Sequence, residues 1–183
     1  MERDAALGLV KKYTEKDITY RHLISVEGVM RALARHFGED EDRWGYAGLF
    51  HDLDYDQTAD DFEKHTQLTV EWLKNEGFDD ERVLNAILAH KDPQYRDDLL
   101  SHAIVNADAI AGLLVASALV RPEKAAGMKV SSVKKKLKEK SFAPGVEREE
   151  IREVKESIGL ELDEFIQIGI DGLQSVASEI ELT

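Results

Sequence analysis

The chain contains no cysteine. Disulfide bridges, thiol nucleophiles and thiolate-ligated zinc or iron–sulfur sites are thereby excluded, and the composition fits a reducing interior. Proline is nearly as scarce. Pro93, Pro122 and Pro144 are the only three in 183 residues, so there is no proline-rich linker, and no low-complexity tract or internal repeat divides the chain. No apolar run reads as a signal core or a membrane span, and the first residues, Met1-Glu2-Arg3-Asp4, are charged; cytoplasmic residence without a membrane partner is the expectation. Strand-type alternation is missing as well. So are a phosphate loop, a dinucleotide-binding glycine triplet, a Gly-x-Ser-x-Gly elbow and a His-Glu-x-x-His pair.

Helical periodicity runs through almost the whole sequence. Helices are predicted over about 2–13, 18–37, 40–52, 60–76, 80–90, 98–119, 130–138, 147–157 and 160–180, with Gly38 and Gly77 as stops and Asp79-Asp80 as an acidic cap. A chain of 183 residues is long enough for one well-buried core and short for two. The expected architecture is an all-α bundle in one domain, 1–183, with a core over about 18–120 and a helical extension over about 121–183 that packs onto it. Loops at 53–59 and 91–97 are expected at the mouth of a site.

The net charge is −13, which argues against general nucleic-acid binding. The charge is uneven. Between Arg121 and Lys140 eight basic residues stand against Glu123 and Glu139, a local +6 that leaves −19 on the remainder. The run reads as a solvated helix face or as a phosphate-binding segment that includes Lys134.

What carries chemistry is a series of imidazoles and carboxylates: His22, the adjacent pair His51-Asp52, His65, His90 and Asp108. Each sits among apolar residues at helical spacing. His22 shares a face with Ile18, Val26, Val29 and Leu33, His65 with Phe62, Thr69 and Trp72, and His90 with Val83, Ala86 and Ile87. Asp108 is surrounded by Ile104, Val105, Ala111, Gly112 and Val115. A carboxylate on such a face has to be paired, hydrogen-bonded or metal-bound, because an isolated ion in an apolar medium is prohibitively costly. Convergence on one centre explains all six together, and imidazole with carboxylate suits one or two divalent ions: Fe, Mn, Zn, Ni or Mg. His36, in the last turn of a helix stopped by Gly38, and His102, at a helix start, do not fit the series.

The ordered set His, His-Asp, Asp on a helical chain resembles the HD superfamily of metal-dependent phosphohydrolases over about residues 18–120. The resemblance implies that His22, His51, Asp52 and Asp108 are the core metal-binding positions. His65 and His90 match the positions used by the subset that holds a second ion, which includes cyclic-dinucleotide phosphodiesterases and di-iron oxygenases such as myo-inositol oxygenase. By resemblance Asp52 bridges two ions, His22, His51 and Asp108 hold the first, and His65 and His90 hold the second, with His51 and Asp52 at the catalytic centre. Many relatives follow the pair with Ile-Gly-Lys. Here Leu53-Asp54-Tyr55 follows, so that lysine has no counterpart. The segments Asn106–Gly112 and Val130–Lys136 also resemble small HD-domain hydrolases.

The activity expected on these grounds is hydrolysis of a small phosphorylated substrate, nucleotides included, by water activated at the metals. Arg21, Lys91 and Lys134 are candidates for holding the phosphate, and Asp54 and Asp56 for orienting ligands or moving protons. A di-iron oxygenase, or a non-enzymatic module that keeps the metal site for ligand recognition, would use the same six residues.

Overall fold

The computed structural model describes all 183 residues, and every regular element is a helix. In order these are α1 (Arg3–Tyr13), α2 (Asp17–Phe37), α3 (Glu41–Phe50), α4 (Tyr55–Thr58), α5 (Gln67–Asn75), α6 (Glu81–Lys91), α7 (Leu99–Leu119), α8 (Val130–Lys138), α9 (Arg148–Arg152), α10 (Val154–Ile158) and α11 (Leu162–Val176). A single 3-10 turn, Pro93–Tyr95, follows α6.

Two 21-residue helices, α2 and α7, form the centre. Helix α2 packs against α3 and α11, and α7 packs against α6, α2 and α11. One apolar cluster runs from Ala6 to Leu182, so the residues beyond 120 share the core of the first half rather than building their own. Several ends are set by local chemistry. Asp40 and Asp80 cap α3 and α6 by accepting backbone N–H groups of the first turn. Asp98 and Ser101 form a reciprocal capping box on α7. Gly38 and Gly77 adopt positive φ after α2 and α5.

The structure departs from the sequence-based helices in the part that matters most. The helix expected over 40–52 ends at Phe50, so His51 and Asp52 lie in a turn. The helix expected from residue 60 begins only at Gln67, because Thr66 takes a positive φ of 68°, and α4 occupies part of the expected 53–59 loop. His65 therefore sits on a turn and not on a helix face. Helices expected over 147–157 and 160–180 are interrupted at Glu153 and end at Val176. Two side chains expected in the core, Ile18 and Phe62, are 75% and 58% exposed. The reading that no apolar run matches a membrane span is also corrected: α7 has the length and a mean hydropathy of 1.7 to cross one, but 67% of that stretch is buried in the bundle. It is apolar on nearly all sides because neighbours surround it.

Close helix crossings depend on glycine at specific places. A Cβ on Gly172 of α11 would lie 2.6 Å from the carbonyl oxygen of Gly28, and one on Gly28 of α2 would lie 2.5 Å from that of Gly172. Neither backbone can yield without separating the helices. Gly172→Ala should destabilise the protein by roughly 1–3 kcal/mol through overpacking, despite the gain in helix propensity of about 1 kcal/mol. Gly8→Ala in α1, where a Cβ meets nothing within 4 Å, should show that gain unopposed. Denaturant unfolding of the two variants checks the contrast; equal effects would mean that the α2–α11 crossing is not tight.

Candidate metal centre

All six residues of the His/Asp series come together between the central helices. His22 comes from α2, His51 and Asp52 from the turn after α3, His65 from the turn before α5, His90 from α6 and Asp108 from the middle of α7. His22 Nε2 lies 2.9 Å from Asp108 Oδ1, and His51 Nε2 lies 3.7 Å from that same oxygen. The two oxygens of Asp52 face different partners. Oδ1 is 3.2 Å from Nε2 of both His65 and His90, while Oδ2 is 3.7 Å from His51 Nε2 and 4.0 Å from His22 Nε2. Two overlapping triads, His22–His51–Asp108 and His51–Asp52–His90, have donor atoms mutually close enough for one ion each. His51 belongs to both. His65 belongs to neither and reaches the centre through Asp52.

The geometry around these residues fixes which atoms face inward. His51 Nδ1 donates to the Gly48 carbonyl at 2.8 Å, which leaves the Nε2 lone pair toward the centre. Gly48 has a second role, since a Cβ there would lie 2.9 Å from the α2 backbone at Val26 and Glu27. Its missing side chain lets α3 approach α2 closely enough to bring His51 beside His22. Asp54, fully buried, accepts from His65 Nδ1 at 2.8 Å and from the Thr69 backbone N–H at 3.1 Å. It orients the ring and satisfies the start of α5 at once. In the sequence Thr69 stands out only as sharing the face of His65, and Gly48 is given no role; a glycine one turn before the His-Asp pair is the only trace of the latter.

Burial and charge act against each other here. Burial pushes the Asp52 carboxyl up, but the positive imidazoles of His51, His65 and His90 close around it hold it well below the usual carboxylate range. Asp108 is likewise pushed up by burial and brought far down by His22, His51 and His90. Burial lowers His65, yet the carboxylates of Asp52 and Asp54 on either side of it raise its pKa from 6.5 to about 9. His90 is lowered by burial and raised overall by Asp52 and Asp108. Three buried atoms nevertheless have no hydrogen-bond partner: His51 Nε2, Asp52 Oδ1 and His90 Nδ1. Orphaned polar atoms of this kind are rare and call for a physical reason. Unpartnered donor atoms on three residues of one His/Asp cluster fit a cation, and the donor set of imidazole and carboxylate fits a divalent metal.

The centre opens into a cavity of about 880 Å³. Arg21 lines it, bonded to Asp17 and Glu181. The other two phosphate-binding candidates do not. Lys91 donates to the Glu63 carbonyl and covers the Phe62 ring. Lys134 pairs with Asp163 of α11, because α8 turns Val133 and Leu137 inward and leaves its lysines on the outer face. Tyr55 brings the 53–59 segment to the cavity, but no residue of 91–97 reaches it; Arg96 lines a smaller polar cavity with His102 instead. Asp56 is no proton carrier for the centre: it accepts from the Glu15 and Lys16 N–H groups and from Thr19 Oγ1, tying down the entry to α2. His36 stands apart, 3.9 Å from Glu164.

The HD domain family profile matches residues 19–113, just over half of the chain and a span that contains all six residues. The chain belongs to the HD domain family. HD domains are generally metal-dependent phosphohydrolases. Neither the curated proteins nor the solved structures gave a match to the chain.

The pH response of the metal-free HD domain follows from His65. Its folded-state pKa of about 9 exceeds the free value of 6.5, so the folded state holds this proton more tightly. The stabilisation is complete below about 6.5 and is lost as pH rises through about 9. Unfolding free energies of chelator-treated protein should therefore fall across this window, and His65→Asn should flatten the fall. An unchanged slope in the variant would show that His65 carries no such proton.

Proposed function

We propose that this HD-domain protein hydrolyses a phosphate ester, using two divalent ions held by His22, His51, Asp52, His65, His90 and Asp108. The observation that carries the reading is that His51, Asp52 and His90, grouped closely enough to hold one ion, each also bury a polar atom without a hydrogen-bond partner. A divalent ion bound there supplies a coordinated water whose pKa drops from ~15.7 toward about 7, and a positive contact for a phosphoryl oxygen.

The chain's own residues set up the rest. Asp52 presents one oxygen toward His65 and His90 and the other toward His22 and His51, an arrangement suited to bridging. Gly48 and Asp54 keep the His51 and His65 rings from rotating, so each offers a fixed nitrogen. Arg21, at the cavity wall, is the cation available to an incoming anion. In the reaction a water oxygen bonds to phosphorus as the ester P–O bond breaks; one of the water's protons stays on that oxygen and the other ends on the departing oxygen, which leaves as the alcohol. A small phosphorylated substrate and cytoplasmic residence go with this reading, supported by the cavity's size and by a net charge of −13 that disfavours nucleic acid.

Metal content separates the parts of this proposal. His51→Ala, Asp52→Ala and Asp108→Ala should lose metal and phosphatase activity together while helicity survives. His65→Ala or His90→Ala should lower bound metal from about two ions to about one per chain, because the first ion keeps its own ligands. Elemental analysis after loading with Mn²⁺ or Fe²⁺ reads both. Full metal content in Asp52→Ala would overturn the assignment, and a single equivalent in wild type and both histidine variants would leave a mononuclear centre.

A further inference from the structure

The molecule exposes six large apolar side chains, and four of them line this one cavity: Ile18, Tyr55, Phe62 and Leu119. Ile18 and Leu119 are 75% and 66% exposed. Scattered apolar residues on a surface need no explanation, whereas their concentration on the rim of a cleft marks a ligand site. The wall is continuous with the candidate metal centre, since the Tyr55 and Phe62 rings lie 5.9 Å and 5.1 Å from the His65 ring. Val115 and Ile180 extend it inward.

Outside the centre's own histidines and aspartates, the polar lining is Asp17, Thr19, Arg21 and Glu147. Arg21 is the only lysine or arginine, against Asp17, Asp52, Asp108 and Glu147, and it already serves Asp17 and Glu181. No asparagine or glutamine lines the cavity, so amide groups that could read the edge of a base are missing. One phosphoryl group can be balanced at the metals. A second or third would meet only Arg21, already shared between Asp17 and Glu181. At about 880 Å³ the cavity is nevertheless far larger than a phosphate ion needs and falls in the range of organic ligands.

We propose that the substrate carries a single phosphoryl group on an apolar, aromatic or aliphatic organic portion, which seats against Ile18, Leu119, Tyr55 and Phe62. This rests on the phosphohydrolase reading above and narrows it away from nucleoside polyphosphates. Ile18, Phe62 and Leu119 become the residues that determine specificity. They touch the organic part and leave the reacting atoms to the centre.

Two phosphonates with the same head group separate this inference from the reading beneath it. Methylphosphonate and naphthylmethylphosphonate are titrated calorimetrically into Mn²⁺-loaded wild-type protein and into the double variant Ile18→Ser/Phe62→Ser, whose folding is checked by thermal unfolding. Burial of the naphthyl group should tighten binding roughly tenfold or more in wild type. In the double variant that advantage should shrink to less than about threefold, with methylphosphonate affinity unchanged. Leu119→Ser, at a separate exposed site, should give a smaller change in the same direction. Equal affinity of wild type for both compounds, or an advantage that survives in the double variant, would overturn the apolar seat while leaving a phosphate-binding metal centre intact. Binding of neither would overturn both. A wild-type dimer that the serine variants convert to monomer would also overturn the proposal, assigning the rim to a second copy of the chain.

Discussion

The structure is organised around two carboxylates held largely out of water at the inner end of a cleft. Asp52 and Asp108 stay ionised in a place where burial alone would protonate them, and only the four imidazoles drawn around them make that tolerable. No single helix can supply that environment. Asp108 sits in the middle of the most apolar helix, His22 in the other long one, and the remaining ligands come from two turns and a helix end. The bundle is the arrangement that lets five segments of chain reach one point, and its order follows from that requirement.

Reaching that point takes close backbone approach, which explains why the glycines that matter lie inside helices, where propensity disfavours them. Gly48 lets α3 lie on α2, so that His51, one turn later, meets His22. Gly28 and Gly172 let α11 lie on the other side of α2, and this crossing is what makes the residues beyond 120 part of the same core. A helix that is close-packed on both sides has little freedom to rotate. His22 is thereby held toward the centre by contacts made along α2 as well as by its own 2.9 Å approach to Asp108.

The converging His/Asp series and the helical fold were legible in the sequence because both express themselves as spacing: apolar residues at helical intervals, with an ionisable one where an aliphatic residue belongs. The same signal misled where a cavity takes the place of a core. Ile18 stands four residues before His22, and Phe62 three before His65, which reads as a buried face; both line the open cleft instead. Periodicity records that a side chain faces inward and is silent about whether packed atoms or a ligand-sized space lies there. For His65 even the element was wrong. The positive φ of Thr66 and the side chain of Asp54 start α5 at residue 67, and neither a backbone angle nor a bond across 15 residues leaves a local trace. Lys134 failed for a different reason: charge can be counted along the chain, but only the burial of Val133 and Leu137 reveals that α8 directs its lysines away from the cleft.

Another buried carboxylate, this one on α2, shows why burial by itself does not identify a site. Glu27 is as inaccessible as His51, yet its two oxygens receive Arg3 Nε at 2.7 Å, Arg3 Nη2 at 2.8 Å and Arg31 Nε at 2.9 Å. Its charge is matched by guanidinium groups that cannot lose their protons, so it is saturated and joins α1 to α2 as a fixed structural link. Five residues earlier, His22 and its partners form a set whose cationic members can give up their protons. Each imidazole that does so becomes a neutral donor with a lone pair, and the charge of Asp52 and Asp108 then needs another cation. Arginine around Glu27 closes that option, whereas histidine around Asp52 and Asp108 keeps it open. The choice of counter-ion, more than the depth of burial, separates a carboxylate that holds the fold together from two that can hold a metal.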